Sequence, residues 1–366
     1  MIKQAYCSVI TKNYIAGVRV LADQLKKFDP EAPYYVLIVD PIDGYVKAED
    51  ENFILLTPAD LPDSSELRQL SFYYTPHEYS NALRGYLHEY ILKKTDVEKW
   101  LYLDCDLMPY SSFDPIFEEL DKGMVLITPH FCHPVTHKYK ELQEFRLLKS
   151  GICNTGFYGL KRTEGIEAFL GWYKEKMRRF CFNDILTYQF FDQVWMNLAP
   201  TLFEGVVITK HPGANVAYFN FHERKIHRSE SGQLMTGDKP LIFFHYTRWN
   251  IKKPETFYYF VSDAELEETL KPLGKEYAQL LIEKGYEENS TWPYEYNCFE
   301  SGRRITKAMR NQYYFELKYS TISSAEDPFK MQSYFSSPFK WSRVGWKYRV
   351  KWILRQLAGV LLKKGS

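Results

Sequence analysis

The sequence has no Cys-x-x-Cys pair; its six cysteines, Cys7, Cys105, Cys132, Cys153, Cys181 and Cys298, are scattered. Nothing in that spacing reads as a disulfide framework, and it fits a reduced, cytosolic compartment. No apolar run reaches 18 residues, so no membrane-spanning helix is expected. A basic stretch followed by an apolar one is missing from the start, so no signal peptide is expected. Repeats and low-complexity linkers are also missing. The last 39 residues contain no Asp or Glu, yet hold nine of the 47 Lys and Arg residues. The other 38 stand against all 46 acidic residues, so residues 1–327 carry a net charge of −8. An acidic body of this kind argues against nucleic acid as a partner, since it offers no second basic surface.

What remains is an ordinary globular balance, 45% hydrophobic and 25% charged over 366 residues, long enough for about two domains. Aromatic residues make up 17%. Such content fits a Tyr- and Phe-rich core better than a set of platforms for a ring-shaped ligand.

The first hundred residues alternate strand and helix. "AYCSVI" (5–10) reads as a strand and "YIAGVRVLADQLKKF" (14–28) as a helix ending in lysines. "YYVLIVD" (34–40) is a nearly continuous apolar run, as in a strand buried on both faces. "FILL" (53–56) is a weaker strand, residues 76–94 a helix, and "KWLYLD" a further strand. Later, 124–128 and 156–162 read as strands and 166–180 as a helix. Residues 190–200 read as helical; 205–209, 215–221 and 240–246 as strands; 263–285 as a helix. The alternation predicts an α/β sheet with right-handed crossovers, whose ligands sit at the carboxyl ends of the strands.

"KWLYLDCDLMPY" (99–110) ends its apolar run in Asp104, Cys105 and Asp106. Two carboxylates one residue apart can reach a single point, and a divalent cation there relieves their repulsion and can bridge a diphosphate. A solvated turn or helix cap is the bland alternative. Haloacid-dehalogenase phosphatases also carry strand–Asp-x-Asp, with the first Asp as nucleophile. They match less well, because Met108 stands where they carry Thr or Val and a hundred residues precede the motif.

"SVITKNYIAGVRVLADQL", "ALRGYLHEYILKK", "KWLYLDCDL", "GICNTGFYGLKR", "FFDQVWMNLAP", "NVAYFNFHER" and "PLIFFHYTRW" follow one another in an order that resembles a GT-A glycosyltransferase. The likeness is to bacterial, family-8-like enzymes of the glycogenin and lipooligosaccharide galactosyltransferase superfamily, over residues 3–260. It implies a GT-A fold: a Rossmann-like mixed α/β sheet flanked by helices, with a catalytic domain at 1–260. A C-terminal helical extension (261–335) and a basic tail (336–366) would follow. It also implies a nucleotide-sugar donor, UDP-linked by family habit, and a divalent metal, commonly Mn2+ or else Mg2+.

Carried over residue by residue, the resemblance makes Asp104, Asp106 and His245 the metal ligands. Thr11, Asn13, Tyr14 and Asp40 would hold the nucleotide, with Cys105 between the two aspartates and Arg84 beside the diphosphate and sugar. Asn154 would contact sugar hydroxyls. Asp192 and Gln193 would stand near the reacting carbon, although a helix cap is an alternative for Asp192. The family's Gly and Lys-Pro-Trp after the histidine are replaced here by "HYTRWNIKKP", so Arg248, Lys252 or Lys253 would grip the diphosphate. Anomeric retention is implied. "PHFCHPVTH" reads as a loop over the site in preference to a zinc site of His130, Cys132, His133 and His137.

"KWSRVGWKYRVKWILRQLAGVLLKK" (340–364) has an apolar face and flanking cations, which predicts an amphipathic helix on an anionic membrane surface. Docking on the acidic body is the alternative. The expected protein is a cytoplasmic enzyme, peripheral on the inner face of the membrane, with a glycan or lipid-linked saccharide as acceptor. A non-catalytic glycan- or nucleotide-binding module is the remaining reading from another class.

Overall fold

The computed structural model describes residues 2–62, 66–136, 138–260, 263–318, 322–323, 325–336, 350 and 354. The expected strands form: β1 (Gln4–Ile10), β2 (Tyr34–Ile38), β3 (Ile54–Leu56) and β4 (Lys99–Leu103). They are followed by β5 (Leu107–Pro109), β6 (Val125–Pro129) and β7 (Cys153–Lys161). The central sheet runs Val206–Ile208, β6, β7, β4, β1, β2, β3. Every neighbouring pair is parallel except those made by β7, which is antiparallel to both β4 and β6. The chain is therefore a mixed α/β protein with a mainly parallel central sheet, as the alternation predicts.

Both faces of the sheet are covered, which is why β2 reads as an unbroken apolar run. The helix Ile15–Phe28 packs Ile15, Val18 and Leu21 onto one face with Val36 and Leu103. Tyr86, Leu87, Ile91, Phe169 and Tyr173 cover the other, from the helices Arg84–Lys94 and Ile166–Phe180. The aromatic surplus is largely core: Tyr6, Tyr74, Tyr79, Tyr86, Tyr102, Tyr158 and Tyr173 are all fully buried.

Several elements differ from the sequence reading. Residues 76–94 form two helices, Pro76–Ala82 and Arg84–Lys94, jointed at Leu83. Residues 190–200 hold only two single turns of helix, Gln193–Met196 and Ala199–Leu202. "NVAYFNF" is no strand: it makes one bridge, Val216 to Phe244, and otherwise turns. Asn215 has φ +53°, and the Asn220 side chain accepts from the Ala217 N–H, so local side-chain bonds compete with a ladder. Helices at Asp114–Leu120 and Lys140–Ser150 have no counterpart in the sequence reading.

The helix Ala264–Glu283 lays Leu266, Leu270, Leu273 and Tyr277 into one apolar cluster with Ala16, Val20, Met108 and Phe244. Among the described residues, no helix is long and apolar enough to cross a membrane. The tail at 336–366 lies outside the described residues except for Ser336, Val350 and Leu354.

Candidate functional site

The antiparallel course of β7 builds the site. Its first residues, Cys153 to Gly156, meet the carboxyl end of β4, and the Asp104 N–H donates to the Gly156 carbonyl at 2.8 Å. After Asp106 the chain enters β5, which pairs with Phe243–His245 and sets His245 opposite Leu107. Two strand pairings thus bring residues 104, 106, 154 and 245 together.

Ligand atoms of Asp104, Asp106 and His245 all lie within 4.8 Å of one another. His245 Nε2 is 3.2 Å from Asp106 Oδ1. Its Nδ1 is 3.1 Å from Asn215 Oδ1, an oxygen that can only accept, so a proton on Nδ1 has a partner there and Nε2 is the nitrogen turned toward the carboxylates. Asp104 Oδ1 accepts from Arg84 Nη2 at 2.8 Å and from the Tyr102 hydroxyl at 2.9 Å, so Oδ2 is the free edge. A Cβ on Gly156 would meet His245 Cε1 at 2.7 Å, Asp104 Oδ2 at 2.8 Å and Asn154 Oδ1 at 2.9 Å. The missing side chain leaves a cradle between these groups. Two carboxylates and an imidazole suit a borderline divalent ion such as manganese, so the residues fit the metal that the resemblance implies. Among the described residues this is the one cluster of metal-ligating type.

The electrostatics follow from crowding. Burial, then Asp106, push the Asp104 pKa up against the pull of Arg84. Burial also works against the Asp106 carboxylate, but His245 outweighs it and the pKa falls. Burial disfavours the His245 imidazolium, yet Asp106 and Asp104 prevail and its pKa rises.

Behind the cluster runs a buried relay. The Trp100 indole donates to His88 Nδ1 at 3.1 Å, and His88 Nε2 meets the Tyr158 hydroxyl at 2.7 Å. Tyr158 meets the Tyr173 hydroxyl at 3.3 Å, and Tyr173 donates to Asp192 Oδ2 at 2.8 Å. Asp192 is fully buried and also accepts from Thr155 at 2.7 Å and Arg84 at 2.9 Å. It stands before the helix Gln193–Met196, but its side chain caps nothing. Arg84 therefore bridges Asp104 and Asp192, and its guanidinium lies 4.3 Å from the Tyr102 ring centroid. The sequence reading missed this relay and Asn215, because hydrogen bonds between residues tens of positions apart leave no local pattern.

A cavity of about 490 Å3 opens over the cluster, lined by Arg84, Asp104, Asp106, Asn154, Asp192, Gln193 and His245 among others. Gln193 donates its amide to the Ser150 carbonyl at 2.7 Å. Of the residues expected to hold the nucleotide and diphosphate, Arg84, Asp104 and Asp106 line the cavity, whereas Thr11, Asn13, Tyr14, Asp40 and Cys105 do not. Thr11 is buried and donates to Asn13 Oδ1 at 2.6 Å, Tyr14 is 58% exposed, and the Cys105 carbonyl accepts from Tyr277. Asp40 is buried and closed by Lys12, whose backbone N–H and Nζ reach it at 2.9 and 2.8 Å. Lys12 also pairs with Glu295 and faces the Tyr45 ring at 4.9 Å. All three candidate grips after His245 are exposed; Arg248 lines the cavity and Lys252 and Lys253 do not.

His130 lines the cavity from a loop, with its ring on the Ile152 carbonyl, and burial pushes its pKa down to about 4. His133 is exposed and pairs with Glu223, and His137 lies outside the described residues. The alternative zinc site does not form among the described residues.

No protein-family model matches the chain. YfnF of Bacillus subtilis (strain 168), an uncharacterized protein, is 25% identical over 258 residues, covering 68% of this chain and 82% of YfnF. YfnD of the same organism, also uncharacterized, is 26% identical over 270 residues, covering 70% and 83%. Solved structures with a similar course include the galactosyltransferase LgtC in complex with donor and acceptor sugar analogs. It is 17% identical with a TM-score of 0.42, over 81% of this chain and 99% of that one. The glycosyltransferase GlyE of Streptococcus pneumoniae TIGR4 is 14% identical with a TM-score of 0.45, over 82% and 67%. These are distant likenesses, and the geometry of the site carries the functional reading.

Proposed function

We propose that this protein is a metal-dependent, family-8-like glycosyltransferase. It moves a hexose from a UDP-linked sugar to a hydroxyl of a cell-surface glycan or lipid-linked saccharide, with retention. The observation that carries the reading is the convergence of Asp104, Asp106 and His245 at the carboxyl end of β4, in a cavity shared with Arg84, Asn154 and Gln193.

A Mn2+ or Mg2+ ion held by Asp104, Asp106 and His245 would offset the charge that builds on the leaving nucleoside diphosphate. Arg84, tied to both Asp104 and Asp192, fixes the rotamer of the first ligand. Asp192 accepts three hydrogen bonds from a fully buried position, so it acts by positioning Arg84 and Thr155 rather than by attacking the sugar. Gln193 gives its N–H to Ser150 and keeps its amide oxygen to face the sugar ring, where positive charge develops. Asn154 binds sugar hydroxyls. Thr11, Asn13 and Tyr14 hold the nucleotide, and Asp40 acts through Lys12. Use of Asp104 as a phosphatase nucleophile is not favoured, because Met108 stands where those enzymes carry Thr or Val.

The test is thermal stabilisation by UDP, GDP, CDP and dTDP, with and without manganese, on wild type and Asp104→Ala. A manganese-dependent shift with UDP that the variant loses is expected. A wild type indifferent to every nucleotide would reject the reading. An inverted anomeric product by NMR would reject retention alone.

A further inference from the structure

The cavity has a second charged feature besides the metal cluster. Arg146, on the helix Lys140–Ser150, and Arg248, three residues past His245, both line it. Their guanidiniums lie on one group of rings. Arg248 is 5.0 Å from the Tyr218 centroid and 5.3 Å from that of Tyr258, and Arg146 is 5.7 Å from that of Phe260. The rings touch one another, with Tyr218 5.2 Å from Tyr258 and 6.0 Å from Phe260. Burial raises the Tyr218 pKa and both guanidiniums pull it back, so both charges bear on one phenol.

Neither arginine has a carboxylate partner among the described residues, in contrast to Arg84 in the same cavity, which has two. Arg248 also has φ +61°, in the left-handed region. Such a conformation is costly for a residue with a side chain, and it persists where the surroundings hold it for use. A guanidinium laid on an aromatic face keeps its in-plane N–H donors free for a bidentate grip on carboxylate or phosphate.

We infer that Arg146, Arg248 and Tyr218 form a subsite for an anionic group, a carboxylate or phosphate, carried by the acceptor saccharide. The inference rests on the glycosyltransferase reading and adds the charge class of the acceptor. The placement favours the acceptor over the donor diphosphate. Asp104, Asp106 and His245, assigned to the metal, line this cavity too, but Thr11, Asn13, Tyr14 and Asp40, assigned to the nucleotide, do not. Arg146 instead shares its helix with Ser150, to which Gln193 is bonded, on the sugar side of the site. Both side chains are exposed, so an incoming anionic group can reach their donors.

The test is an NMR titration of the full chain with methyl glucuronide, glucose 6-phosphate and neutral methyl glucoside. It is run with and without UDP and manganese, on wild type, Arg146→Gln and Arg248→Gln. Wild type should bind the two anionic sugars about tenfold more tightly than methyl glucoside, as one charge-assisted contact implies. Both variants should lose most of that preference, and Arg146→Gln should keep UDP–manganese affinity within about twofold. Equal binding of charged and neutral sugars by wild type overturns the subsite. Variants that weaken UDP–manganese binding as much as glucuronide binding also overturn it, and assign the arginines to the diphosphate. A wild type that ignores UDP and manganese rejects the transferase reading, while the nucleotide-free titration still decides the subsite.

Discussion

His245 owes its use to Asn215, a neighbour in space that no motif announces. Without the Asn215 acceptor on Nδ1, the imidazole could turn or change tautomer and withdraw Nε2 from the carboxylates. Asn215→Ala should therefore weaken manganese binding about 10- to 100-fold, the usual effect of losing a partner behind a metal ligand. Calorimetric titration of the folded variant checks this, and an unchanged affinity would remove Asn215 from the site. The three residues of the candidate metal cluster were singled out in the sequence, the aspartates by their place after an apolar run and His245 by the family resemblance. Asp40 was legible only as a polar residue ending a strand. That Lys12 closes it depends on β1 and β2 lying side by side, and Lys12 gave no local sign of being buried.

Among elements, those with one clear periodicity were readable. β1, β2, β4 and the helices Ile15–Phe28 and Ile166–Phe180 stand where the pattern puts them. The helix Lys140–Ser150 escaped because its apolar residues do not face a core: Leu142, Phe145 and Leu148 are 53%, 60% and 71% exposed. The helix Ala264–Glu283 was readable as a helix, but its close approach to the body was not. A Cβ on Gly274 would meet the Pro254 carbonyl oxygen at 1.9 Å and the Phe257 ring at 3.0 Å. Gly274→Ala should cost about 1–3 kcal/mol, the usual range for overpacking. Urea denaturation measures it, and a variant as stable as wild type would show that this contact gives way freely.

For the whole molecule, the buried relay ties stability to pH. His88 accepts from the Trp100 indole, which can only donate, so its Nδ1 must stay unprotonated. Burial first, then Arg84, push its pKa down to about 3. His130 is lowered to about 4 by burial. An unfolded histidine takes up its proton near pH 6.5, whereas these folded ones do not. Their contribution is complete above about pH 6.5 and is lost as pH falls towards the folded values, at ~1.4 kcal/mol per pH unit for each. The melting temperature should drop below pH 6.5, and His88→Gln should flatten that slope; parallel slopes would dismiss His88 as the cause. At the same scale, the charge division between body and tail leads us to expect membrane attachment through residues 336–366. Full-length protein should co-sediment with anionic liposomes and the 1–335 chain should not. Equal binding by both would discard the tail as an anchor.

The sequence by itself determined the alternation of strand and helix, the buried parallel strands and the pair of aspartates at the end of β4. Those features are written in apolar period and local residue type, which act within a few positions. Only the tertiary structure decided the antiparallel insertion of β7 and the pairing of β5 with Phe243–His245. It alone decided the hydrogen-bonded relay to Asp192 and the two arginines laid on one ring cluster. Each of these joins residues far apart in the chain, where the energy lies in burial and geometry that no local pattern records.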